Sequence, residues 1–116
     1  VSMFLDDLEQ RGLSDRILLI CCGEMGRTPR INERGGRDHW GNLAPLILSG
    51  GGIRTGQVIG RSSRDIAEPA STPIRNSHVV ATALQTLMDP AEVRLIPGLP
   101  GEIMQAAGAD PIPGLF

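Results

Sequence analysis

The chain has 116 residues, of which 41% are hydrophobic and 21% charged, with a formal net charge of -2. This length suits one compact domain, and the composition predicts an ordered middle part of the chain. The charge gives no reason to expect nucleic-acid or membrane-surface binding, and no apolar run approaches the roughly 18 residues of a membrane-spanning helix. We therefore expect a single domain, with core elements in residues 1–90 and a tail rich in proline and glycine in residues 91–116.

The first 22 residues predict a helix followed by a buried strand. Apolar residues at positions 1, 4, 5 and 8 form one stripe of a helix that ends near Arg11, and Gly12 suits the left-handed position after it. The apolar run from Arg16 to Cys22 is typical of a strand covered on both faces, as in a parallel sheet. Cys21 and Cys22 would point to opposite faces of this strand, so we interpret them as small buried residues.

A second strand and a hairpin are predicted after a long polar segment. Residues 43–49 form the second buried apolar run, and Pro45 fits only near its start, where no ladder donor is needed. The three glycines at 50–52 predict a tight turn. Residues 53–60 then predict a short hairpin that turns at Thr55 and Gly56.

The remainder of the chain predicts a loop and two helices. Residues 61–75 are polar and contain several prolines, which is typical of a loop. The next helix has Asn76 or Ser77 as its predicted cap and is closed by Pro90. Its apolar stripe consists of Val80, Leu84, Leu87 and Met88. One more short helix is expected near residues 102–107.

These elements together predict an α/β fold. Two strands and one hairpin are too few for a complete doubly wound sheet, so we expect a partial doubly wound sheet from the C-terminal part of a larger α/β domain. Because the chain begins with valine and not methionine, we also expect it to be a piece of a longer protein.

The polar segment between the two predicted strands, GEMGRTPRINERGGRDHWGN at Gly23–Asn42, is the candidate functional site. Ligands of open α/β sheets bind beyond the carboxyl ends of the strands, where this segment begins. Glu24 follows the first strand, and Asp38 and His39 come shortly before the second. Carboxylates and neutral imidazoles are common ligands of divalent metal ions, so these three residues are candidate metal ligands.

Structural interpretations of the same residues stay open at this point. Glu24 could pair with Arg27 at the surface, and Asp38 could bind backbone N–H groups of its own loop. His39 could be an ordinary loop histidine, and Trp40 could be a packing anchor. The chain has no HExxH, CxxC or GxSxG motif that would decide between these interpretations.

Four motifs follow one another along the chain: GEMGRTP, GGRDHW, LILSGGG and GQVIG. This order resembles the DUF1501 family of bacterial proteins, whose members typically show GEFGRTP, GGRDHW, an apolar strand ending in GGG, and GxxIG. The resemblance covers nearly the whole chain and is weakest after Pro90. The family is grouped with the alkaline phosphatase and sulfatase superfamily, so the resemblance implies an α/β core that binds one or two metal ions at its strand ends.

The resemblance also implies a set of metal ligands. In the superfamily's layout, Glu24 takes the place of an aspartate ligand, Met25 of a first histidine and His39 of a later histidine, with Asp38 beside it. The implied cofactor is a divalent metal ion: zinc, manganese or calcium. Met25 departs from the pattern, because a thioether is a poor ligand for hard divalent ions.

The reaction implied by the resemblance is metal-assisted hydrolysis of a phosphate or sulfate ester, carried by a small molecule or a glycan. Arg27 and Arg37 would hold the charged oxygens, and Trp40 would shape the wall of the site. The superfamily's nucleophile comes from earlier strands, so the rest of the parent domain is expected to be needed. Relatives are commonly exported to the periplasm. The alternatives are a non-catalytic relative that binds an anionic ligand or glycan, and a purely structural domain.

Overall fold

The computed structural model describes residues 1–116. Its helices are α1 (Ser2–Gln10), α2 (Asn76–Leu87), α3 (Pro90–Val93) and α4 (Gly101–Ala107). Its strands are β1 (Leu18–Cys22), β2 (Gly26–Arg27), β3 (His39–Trp40) and β4 (Leu46–Gly50). They form two sheets of two strands each, β1 with β4 and β2 with β3, which confirms the general α/β class. None of the helices is both long enough and apolar enough to cross a membrane.

The chain divides into two compact units. The first unit comprises Val1–Leu19, Ser49–Gln57 and Ile74–Phe116, and the second comprises Ile20–Leu48 and Val58–Pro73. The candidate site residues named above all belong to the second unit.

The core of the first unit comes from its helices and from the segments at residues 53 and 112–115. Its buried side chains are Leu8, Ile53, Ala81, Thr82, Val93, Ala107, Ile112 and Leu115. The prediction for α1 is confirmed, because the helix ends with Arg11 as its C-cap and Gly12 follows with a φ of +66°. The predicted glycine turn is confirmed as well: Gly50, Gly51 and Gly52 all have positive φ.

The apolar stripe predicted for α2 is not the buried face of this helix. Val80 and Leu87 are 47% and 71% exposed, whereas Ala81 and Thr82 are buried. Small side chains on this face let α2 pack against α4, and the main chain of the tail reaches the Thr82 hydroxyl, which accepts a hydrogen bond from the N–H of Ile112 at 2.9 Å.

The predicted cap of α2 is also wrong. Arg75 is the N-cap residue in place of Asn76 or Ser77. Its backbone N–H donates to Nδ1 of His78 at 2.9 Å, so a side chain from the first turn reaches back to the residue that begins the helix.

The predicted hairpin at residues 53–60 does not form, because its backbone has other partners. The N–H of Arg54 donates to the carbonyl oxygen of Leu115 at 2.8 Å. The Gln57 side-chain amide donates to the carbonyl oxygens of Arg54 and Gly114, at 3.0 and 2.9 Å. The segment is therefore fastened to the C-terminal tail and has no strand partner of its own.

Candidate functional site

Two short strands of the second unit bring the ends of the polar segment together. β2 and β3 pair antiparallel, with Gly26 opposite Trp40 and Arg27 opposite His39. Gly26 permits a close approach, because a Cβ atom at this position would overlap the carbonyl oxygen of Leu43 and lie 2.6 Å from that of Trp40. The absence of a side chain at Gly26 therefore determines how closely the candidate residues can meet.

Arg27 and His39 are the predicted site residues that the structure places side by side. Directly opposite residues of an antiparallel pair point to the same face, with Cβ atoms about 4.5–5.5 Å apart. Both residues are exposed, and Arg27 forms no salt bridge with Glu24 or another carboxylate of its unit. A guanidinium and an imidazole at this spacing can both reach one small anion.

The three predicted metal ligands are not gathered in one cluster. Asp38 precedes β3, where strand alternation turns its side chain away from the face of His39. Its Oδ1 accepts a hydrogen bond from Nδ2 of Asn32 at 2.8 Å. Glu24 is exposed in a bend between β1 and β2. No group of three or more His, Cys, Asp or Glu side chains in residues 1–116 is arranged to hold a metal ion.

Arg37, which was predicted to hold an anion, contacts the backbone of its own loop. Its Nη1 donates to the carbonyl oxygens of Thr28 and Pro29, at 2.7 and 2.6 Å. We call the segment Thr28–Asp38 the β2–β3 loop. Thr28 and Pro29 lie at its start, and Arg37 lies near its end. Arg37 thus links the two ends of this loop, while Arg27 keeps its exposed position beside His39.

Asn32 organises the tip of the β2–β3 loop, and sequence reasoning missed it. Its Oδ1 accepts from the N–H groups of Arg34 and Gly36, at 3.0 and 2.9 Å. Its own N–H donates to the carbonyl oxygen of Gly36 at 2.8 Å. An asparagine shortly before two glycines is a signal for such a side-chain-bonded turn, and the segment NERGG carries it.

Trp40 fastens β3 to the other loop of the second unit. Its Nε1 donates to the carbonyl oxygen of Ala67 at 2.7 Å. Two residues later, Nδ2 of Asn42 donates to a carboxylate oxygen of Glu68 at 2.6 Å. Trp40 is half-buried and points away from the face of His39, by the alternation of β3. Its contact supports the packing of this unit.

The loop that receives Trp40 has a hydrogen-bond network of its own. Ser63 Oγ donates to Oδ1 of Asp65 at 2.6 Å and accepts from the N–H of Glu68 at 3.0 Å. The Ser63 hydroxyl, followed by the N–H of Ala67, lowers the pKa of Asp65 below its ordinary value. Ile66, which lies between Asp65 and Ala67, has a φ of +58° and is 61% exposed. Because a β-branched residue rarely adopts this left-handed conformation, the surrounding hydrogen bonds hold Ile66 under strain.

A cavity of about 260 Å³ lies in the first unit. Its lining includes the buried side chains of Leu8 and Ile53 and the exposed residues Glu9 and Asp15. None of the predicted site residues lines this cavity.

Comparison with known proteins agrees with the motifs of the polar segment. Residues 1–111 match the family described as "Protein of unknown function (DUF1501)". No curated protein and no solved structure matches the chain. The resemblance inferred from GEMGRTP, GGRDHW and the glycine triplet is thereby confirmed at the level of the family.

Proposed function

Since the chain belongs to the DUF1501 family, we propose that it is a hydrolase-like protein of the alkaline phosphatase and sulfatase superfamily that acts on phosphate or sulfate esters. In this proposal the β1–β4 sheet is part of a larger doubly wound sheet, and the chain supplies the C-terminal part of the site. The observation that carries the proposal is the exposed cross-strand pair of Arg27 and His39.

The two residues of this pair have complementary roles toward an ester anion. The planar guanidinium of Arg27 can bind two oxygens of a phosphate or sulfate group at once. The imidazole of His39 can hold a divalent metal ion through its neutral nitrogen, or donate a hydrogen bond to the anion when it is protonated. Arg27 lacks a salt-bridge partner within its unit, so anion binding would not require an existing ion pair to break.

A zinc, manganese or calcium ion would act as a Lewis acid on the ester when bound. The residues of this chain do not assemble a complete metal site by themselves, because Glu24, Asp38 and His39 are not gathered. Of these three residues, His39 is the one that lies directly opposite Arg27 in the β2–β3 pair. A metal at this position would therefore need further ligands from outside residues 1–116, and the role of Arg27 in anion binding does not depend on it.

The test of this proposal measures anion binding, metal content and turnover in the same purified protein. We expect Arg27→Ala to weaken binding of inorganic phosphate or sulfate by about 10-fold or more, since a hydrogen bond to a charged group contributes about 1.5–3 kcal/mol. The matched control is Arg34→Ala, which removes an exposed arginine whose backbone alone is hydrogen-bonded. Equal phosphate affinity in both variants would rule out the assigned role of Arg27.

Metal dependence is tested with p-nitrophenyl phosphate and p-nitrophenyl sulfate as substrates. A hydrolase is expected to turn over one of them, to lose that activity with a chelator, and to lose bound metal in His39→Ala. A protein that keeps its full metal content in both His39→Ala and Glu24→Ala does not use these residues as ligands.

The second candidate function is a non-catalytic relative that binds an anionic ligand or glycan. Two observations favour it: Asp38 is hydrogen-bonded to Asn32, and Met25 stands where the superfamily layout has a histidine ligand. This candidate predicts anion binding that depends on Arg27 and His39 without any chelator-sensitive turnover. Turnover that a chelator abolishes would exclude it.

A further inference from the structure

The two ends of the β2–β3 loop, Thr28 and Asp38, are hydrogen-bonded to each other, and each is the chain neighbour of one residue of the proposed anion-binding pair. The N–H of Thr28 donates to the carbonyl oxygen of Asp38 at 2.9 Å, and the N–H of Asp38 donates to Oγ1 of Thr28 at 3.1 Å. Thr28 directly follows Arg27, and Asp38 directly precedes His39. The positions of Thr28 and Asp38 therefore constrain the backbone positions of Arg27 and His39.

Side chains inside the loop reinforce this closure. The side-chain amide of Asn32 accepts hydrogen bonds from two backbone N–H groups at the tip and donates one to the carboxylate of Asp38. Arg37 adds two hydrogen bonds to backbone carbonyls at the other end. The tip, the Asp38 end and the Thr28 end are thus connected through three side chains.

We propose that Asp38 is a positioning residue, which acts through Asn32 to hold His39 opposite Arg27 before an anion binds. The positioning role rests on the proposed function in one respect: it takes the Arg27–His39 pair as the group that binds the anion. A pair that is already positioned loses less conformational freedom on binding, so its affinity is higher than that of a mobile pair.

The hydrogen bond between Asn32 and Asp38 shows which property of Asp38 this role requires. Nδ2 of Asn32 is a neutral donor, and it needs an oxygen acceptor but not a negative charge. An asparagine at position 38 keeps a side-chain oxygen in nearly the same place, whereas an alanine does not. At a metal ligand, in contrast, asparagine lacks the negative charge with which a carboxylate attracts a divalent cation, so metal binding would weaken. Asp38→Asn and Asp38→Ala therefore separate the two roles.

The experiment titrates inorganic phosphate into the purified protein and follows the imidazole signals of His39 by NMR. We expect Asp38→Asn to bind phosphate within about 2-fold of the parent protein, and Asp38→Ala and Asn32→Ala to bind it at least 5-fold more weakly. Glu33→Ala is the matched control, since it removes an exposed acidic side chain of the same loop and should leave the affinity unchanged. An equal loss in Asp38→Asn and Asp38→Ala would overturn the proposal.

A second measurement tests the positioning without any ligand. In the ligand-free protein, nuclear Overhauser contacts between the side chains of Arg27 and His39 are expected in the parent and in Asp38→Asn, and are expected to be lost in Asp38→Ala. Contacts that persist in Asp38→Ala would refute the positioning role even if phosphate does not bind. A parent protein that shows the contacts but no phosphate binding would refute the proposed function and leave the positioning role supported.

Discussion

Replacing Gly26 by alanine is expected to damage both the stability of the second unit and the proposed anion-binding pair. The added Cβ would overlap the carbonyl oxygen of Leu43 and would lie 2.6 Å from the carbonyl oxygen of Trp40. Both obstacles are backbone atoms, which cannot turn away as the end of a flexible side chain can. β2 must therefore shift relative to β3 and the residues after it.

The size of the effect follows from this overlap. The oxygen of Leu43 would have to withdraw by roughly 1.5 Å or more to reach an ordinary contact distance. Overpacking of this kind costs about 1–3 kcal/mol of unfolding free energy, and we expect the upper half of that range because the backbone must move. A displacement of about 1 Å can also cost a site up to 100-fold in function. We expect at least a 10-fold loss of phosphate affinity.

The assay is urea unfolding together with phosphate titration, in Gly26→Ala and in the matched control Gly41→Ala. Gly41 lies one residue after β3, has no atom within 4 Å of an added Cβ, and does not need a positive φ. Alanine is therefore expected to be neutral or slightly stabilising there. If Gly26→Ala matched Gly41→Ala in both measurements, the close approach at Gly26 would have no role in stability or in binding.

Three further changes test other parts of the structure. Thr82→Val should lower the unfolding free energy by about 1–3 kcal/mol, because it leaves the buried N–H of Ile112 without an acceptor; urea unfolding measures it, and no loss would contradict the contact. Asp65→Asn should make the thermal unfolding temperature less sensitive to pH. The lowered pKa of Asp65 in the folded state gives stability that is present above about pH 4 and is lost as the pH falls further. If the unfolding temperature of Asp65→Asn depended on pH as that of the parent does between pH 6 and 3, the Ser63 contact would be contradicted. Ile66→Asn should raise the unfolding free energy by up to about 1 kcal/mol, since asparagine tolerates a positive φ, and a loss of stability would show that Ile66 is not strained.

The parts of the fold that the sequence predicts well are those decided by local chemistry. The end of α1 and the turn at Gly50–Gly52 depend on glycines in left-handed conformations, and both are found as expected. The buried face of α2 does not follow from its apolar stripe, because Val80 and Leu87 of that stripe are exposed. Burial there is decided by what packs against the helix: small Ala81 and Thr82 allow α4 and the tail to approach. The hairpin failed for a similar reason, since the tail of the chain accepts hydrogen bonds from the backbone N–H of Arg54 and from the side-chain amide of Gln57.

Residue types in the candidate site were predictable, but their grouping was not. The sequence shows acidic, basic and imidazole side chains between two strands, and it shows the family's motifs. It does not show that residues 26–27 and 39–40 pair as strands, because two-residue strands are too short for any alternation to be recognised. Without that pairing, Arg27 and Arg37 are equivalent candidates. With it, Arg27 faces the solvent beside His39, and Arg37 is occupied by two backbone carbonyls.

The motif GGRDHW can now be divided by what each residue contacts. Gly36 donates its N–H to Asn32, Arg37 bonds to backbone carbonyls across the loop, and Asp38 accepts from Asn32. Trp40 bonds to a second loop. These four residues use polar groups for hydrogen bonds within their own unit, whereas the exposed His39 lies directly opposite Arg27. A motif built in this way need not supply several ligands to one ion; its polar residues can serve mainly to fix the position of a single imidazole.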